Sequence, residues 1–133
     1  MPSISSVSVF RGYSQDRRPS MQIYSEHLVA GLRAKLSGAR IREIVPLAPQ
    51  AAGKSPHAMR LLRYLMYPWQ ARSENSSINH ITESGYAHLI RCLDPSKTIV
   101  TVHDLIPLLS WRGIIPGLSY PHAPRLLELS FHT

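Results

Sequence analysis

Three observations predict an α/β fold, a Rossmann-like parallel sheet with flanking helices. Short β-branched runs alternate along the chain with stretches of helical periodicity. The connections between the last two of these runs are tight enough for a βαβ unit. The run Lys97 to Pro107, KTIVTVHDLIP, has the apolar, β-branched character of a strand buried on both faces, so a central parallel strand is expected there. Polar His103 and Asp104 follow at its carboxyl end, where open α/β sheets place their ligands.

Composition bounds the reading. The 133 residues make one domain, able to bury roughly two-thirds of the surface its unfolded chain exposes. Hydrophobic residues at 44% and charged residues at 17% fit a globular chain, and 11 prolines imply many reversals. Lys+Arg exceed Asp+Glu by 15 to 8, a formal charge of +7, which favours an anionic partner: nucleic acid, an acidic membrane surface or a phosphorylated small molecule. The single cysteine, Cys92, excludes an internal disulfide and sits in the apolar run LIRCL, which reads as core. No apolar run reaches the roughly 20 residues of a membrane span, and the N-terminus lacks the pattern of a signal peptide. A cytoplasmic protein is expected, with contact at the inner membrane surface as an extension of that reading.

In chain order, Ile4 to Phe10 reads as the first strand, followed by the polar loop RGYSQDRRPS. Ser20 is a suitable N-cap for a helix whose apolar face carries Tyr24, Leu28, Leu32 and Leu36 and which stops at Gly38. The free backbone N–H groups at its start would favour an anion. Ile41 to Leu47 is the second strand, ended by Pro46 and Pro49. His57 to Arg72 has helical spacing, with Pro68 expected to end or kink it near Tyr67. Its Arg60, Arg63 and Arg72, beside Tyr67 and Trp69, make either a solvated basic face or one that rests on anionic lipid. Ser77 to Thr82 is the third strand and Gly85 to Leu93 a helix, with the turn DPSK before the strand at Lys97. A parallel pair here puts His80, Glu83 and Ser84 on the same sheet edge as His103 and Asp104. Beyond Asp104 the prolines exclude long helix until Arg125 to Phe131.

The blocks SINHITESGYAHLIRCL and KTIVTVHDLIPLL, together with the helix PSMQIYSEHLVAGLRAKL, resemble the N-terminal domain of GT-B glycosyltransferases of family 4. The resemblance implies retaining transfer of a hexose from a nucleotide-sugar to a glycan, lipid or small-molecule acceptor, with no metal and no cofactor beyond the nucleotide-sugar substrate. Residues 1–133 then correspond to the acceptor-side domain, the incomplete N-terminal half of a GT-B fold, without its last strands or the nucleotide-binding C-terminal domain, and would be inactive alone. It also implies His103 near the reacting centre, with Asp104 orienting the loop or binding a sugar hydroxyl. His80 and Glu83 match an H-x-x-D-like stretch, with Glu for the commoner Asp. Those two, with Tyr86, Ser20 and Met21, are the acceptor-binding set. The loop reads RRPSM where many relatives have a glycine pair.

Blander roles stand beside these. Asp104 would serve as a turn cap, and His80 as a buried ring bonded to a backbone carbonyl. His88, among apolar residues, reads as structural, and the spacing of His80, His88 and His103 matches no compact zinc pattern. A non-catalytic basic α/β module for nucleic acid or phosphorylated ligands is the alternative. It predicts a clustered basic face with stacking aromatics, whereas the arginines here are dispersed and nucleic acid is disfavoured.

Overall fold

The computed structural model describes residues 3–49, 55–103, 105, 109 and 112–114. They form a four-stranded parallel sheet with helical segments on both faces, in the order β2-β1-β3-β4. The strands are β1 (Ser6–Phe10), β2 (Arg40–Ile44), β3 (Ile78–Ile81) and β4 (Thr98–Val100). From β1 the chain steps to one side to make β2, then crosses back to make β3 on the other. The topological switch therefore lies between β1 and β3.

Side-chain alternation sorts the two faces. Val7 and Val9 of β1 meet Val29, Leu28 and Leu32 of helix α1 (Pro19–Lys35) on one face. On the other, Phe10, Ile44 and Ile81 pack against Leu62, Tyr67 and Ala71 and against Tyr86, Leu89 and Leu93. This second cluster holds the larger core, and its three tyrosines are almost fully excluded from solvent.

Several expectations change. Helix α1 starts before Ser20, with Arg18 as N-cap and Pro19 in the first turn, because a fixed φ and a missing N–H suit Pro to that position. Pro68 does not end the helix. Residues Pro56–Leu61 (α2), a π-helical turn Leu62–Met66 and Tyr67–Arg72 (α3) follow without a break. The wider turn sits immediately before Pro68, where an α-helix would suffer the missing N–H and the ring clash. Strand β2 ends at Ile44 because the Gln70 side chain takes over the backbone beyond it, accepting from Leu47 N at 3.1 Å and donating to Val45 O at 3.1 Å.

Between β3 and β4 the helix expected over Gly85 to Leu93 is a 3₁₀ segment, Ser84–Cys92, whose rise of about 2.0 Å per residue covers the return more quickly than an α-helix. In the turn after it, Asp94 Oδ1 accepts from Ser96 N at 3.0 Å. Strand β4 is the edge of the described sheet, not a central strand, and Ile99 is 53% exposed. Helix α1 packs over β1, β2 and the start of β3. The segment Arg125 to Phe131 lies outside the described residues.

Candidate functional site

The carboxyl ends of β1 and β3 carry a buried ionic network at the switch point. After β1 the chain passes through Gly12 and Tyr13 into a single 3₁₀ turn, Ser14–Asp16. Arg17 adopts a left-handed conformation, φ 51°, and reverses the chain. Asp16 and Arg18 on either side of it thus serve different partners. Asp16 takes an ion pair from Arg63 and accepts the Tyr86 hydroxyl, while Arg18 Nη1 donates to Glu83 Oε1 at 2.6 Å. Tyr86 also accepts from Tyr13 N at 3.0 Å, and Arg63 lies over its ring at 4.8 Å. Two carboxylates therefore face two guanidinium groups, and the interior is locally neutral.

Gly12 is required by this closeness. A Cβ there would lie 2.7 Å from Glu83 Oε2 and 2.8 Å from the Tyr86 ring. Burial raises the Glu83 carboxyl above its usual range, with Arg18 opposing the shift. Burial likewise pushes the Tyr13 phenol up to about 12, and its hydroxyl has no hydrogen-bond partner among the described residues.

Around the α1 side of the same edge lies a second group. His103 Nε2 donates to Thr82 O at 2.9 Å, since a carbonyl can only accept, and its ring meets Tyr24 edge-on at 4.5 Å. His80 Nε2 is 2.7 Å from Thr101 Oγ1, which also lies 3.3 Å from Tyr24 OH. Thr82 ties the group to β1 by donating to Phe10 O at 3.0 Å, and it accepts from Ser25 of α1 at 3.2 Å. Burial, and secondarily the proximity of His103, lower the His80 pKa from 6.5.

A proton on His80 therefore opposes folding. Its contribution to stability is complete above pH 6.5 and is lost as the pH falls from there through the lower value of the folded state. In an NMR titration His80 will titrate below pH 6.5, and His103→Ala will move it upward; an ordinary value unchanged by the substitution would contradict this arrangement.

The sequence-derived residues divide. His80, Glu83 and His103 come together at the carboxyl edge. Ser20 is exposed and Met21 half-buried in the first turn of α1, and neither side chain bonds to the histidines among the described residues. Tyr86 is 1% exposed with its hydroxyl engaged, so it braces the network and is not open to an acceptor. Asp104 lies outside the described residues. His80 bonds a threonine hydroxyl where a backbone carbonyl was the alternative. His88 is structural: Nε2 donates to Arg63 O at 3.0 Å.

Asp16, Arg18, Arg63 and Tyr24 were not singled out from the sequence as site residues. The first two lie in the loop assigned to this edge, but nothing local in the sequence pairs them with residues so far along the chain. Arg63 and Tyr67 are buried, which removes them from the basic outer face of α2 and α3. That face instead exposes Leu61, Leu65 and Trp69 beside Arg60 and Arg72. Among the described residues no cluster of His, Cys, Asp or Glu converges as a metal set, and no helix is long and apolar enough to cross a membrane.

No family model, curated protein or solved structure matches the chain.

Proposed function

We propose that this chain is the acceptor-side domain of a retaining GT-B glycosyltransferase of family 4 type, working in the cytoplasm on a hexose drawn from a nucleotide-sugar. The observation that carries the reading is His103, the histidine of the family-like VHDLIP block, held at the carboxyl edge beside the switch point by Thr82 O and the Tyr24 ring. With Nε2 donating to a carbonyl, Nδ1 is left to accept from a sugar hydroxyl. Glu83 and Arg18 form the adjoining polar wall, and the Asp16–Arg63–Tyr86 network keeps that wall rigid. A second domain would bind the nucleotide across the cleft. In this reading the apolar ridge Leu61, Leu65 and Trp69, flanked by Arg60 and Arg72, rests on anionic lipid and brings the domain to a lipid-borne acceptor.

An acceptor titration tests this. Glycans and glycolipid head groups, free and in anionic vesicles, are added while the side-chain signals of His80, His103 and Tyr24 are followed by NMR. One acceptor class will shift all three together, more strongly from vesicles if the acceptor is lipid-borne, and these 133 residues will bind it without turnover. Sugar transfer by the 133 residues alone, or no response to any acceptor, would refute the proposal.

A further inference from the structure

A groove of about 460 Å³ opens at the opposite, amino edge of the sheet, lined by Ser5, Ser6, Arg40, Arg42, Asn75 and Ser76 with Ser73 at its end. No acidic residue lines it. Arg42 is already engaged: Nη1 donates to Glu74 Oε2 at 2.7 Å, and Nη2 lies 2.9 Å from Glu74 O and 3.1 Å from Ser76 Oγ. It neutralises Glu74 and covers a turn carbonyl that would otherwise repel an anion. The serines are largely committed as well, with Ser5 Oγ 2.6 Å from Ser77 Oγ, Ser76 Oγ 2.7 Å from Ser8 Oγ, and Ser73 donating to Gln70 O at 2.9 Å.

Two donors remain. The guanidinium of Arg40 is exposed and makes no hydrogen bond or ion pair among the described residues. Asn75 is held by its oxygen, which accepts from Asn79 Nδ2 at 2.7 Å and from Asp94 N at 3.3 Å, and its Nδ2 has no partner among the described residues. A fixed amide donor and an unpaired cation thus share a polar groove, in a chain of net charge +7. Anions that accept several hydrogen bonds suit such a pair, and phosphate matches the Arg fork.

We infer that this groove binds a phosphate group, free or carried by a small molecule, with Arg40 and Asn75 Nδ2 as its principal ligands. The groove is separate from the carboxyl-edge site, and the inference does not depend on the glycosyltransferase reading.

Calorimetric titrations with inorganic phosphate and with a hexose monophosphate test it on the whole chain, in a buffer free of competing anions. Saturable binding is expected, weakened about tenfold or more by Arg40→Ala. Asn75→Asp leaves both bonds to the side-chain oxygen in place and replaces the free donor by a negative oxygen, so it will abolish binding without lowering the melting temperature. Tighter binding of the hexose monophosphate would identify an organic phosphate as the occupant, and equal affinity the free ion. Failure of the unmodified chain to bind either probe, or binding that either variant leaves unchanged, would overturn the inference. His103→Ala, at the other edge, will leave this binding intact even if the glycosyltransferase reading fails.

Discussion

Replacing Asp16 with alanine will lower the folding stability by about 3 kcal/mol, because it strips a buried guanidinium of its counter-charge. The side chains of Arg63 and Asp16 are only 10% and 14% exposed. Arg63 would have no described carboxylate in direct contact, and the Tyr86 hydroxyl would lose its acceptor at the same time. The loss is therefore larger than that of a surface ion pair, which is typically worth about 1 kcal/mol or less. For a domain of this size it corresponds to a melting-temperature drop of roughly 10 °C.

Combining Asp16→Ala with Arg63→Met removes both charges and will recover much of the stability, since an apolar chain tolerates this interior better than an unpaired cation. Urea melts of the two single variants and the double variant decide the matter. A loss of less than about 1 kcal/mol for Asp16→Ala, within the range of an exposed pair, would show that the network does not brace the switch point.

If the proposed glycosyltransferase reading holds, His103→Ala in an enzyme that joins this domain to a nucleotide-binding half will reduce hexose transfer by about 100-fold, the lower end of what a positioned polar catalytic group supplies. The same substitution will lower the melting temperature by only about 3–5 °C, well short of the Asp16→Ala drop. His103 is exposed, and its removal deletes one hydrogen bond to Thr82 O and one edge-on contact with Tyr24, with Thr82 still tied to Phe10 and Ser25. The split between activity and stability is the informative quantity. Parallel loss of both would make His103 a structural residue at a strand end.

Much of the sheet edge was legible in the sequence, because alternating strand and helix patterns imply parallel strands and hence a common carboxyl edge. His80, Glu83 and His103 share that edge for this reason. Their neighbours were not legible. Asp16 meets Arg63 only because α2 and α3 pack over the same face of the sheet as the loop after β1, and no periodicity in either segment encodes that meeting. Tyr86 illustrates the same limit: its place in the SGYAHL block suggests a polar contact, but the packing of Tyr13 and Tyr67 around it turns its hydroxyl inward.

The sequence by itself determined the order of the elements, the parallel direction of the strands and the edge on which the polar strand ends gather, since these follow from local periodicity and from the short connections between elements. Only the tertiary structure decided that the Thr98–Val100 strand lies at the edge of the described sheet, that a π-turn carries the chain through Pro68, and that Asp16, Arg18, Arg63 and Glu83 neutralise one another at the switch point. Each of these depends on which surfaces meet across the sheet, and the free energy of such meetings resides in burial and charge pairing between residues far apart along the chain.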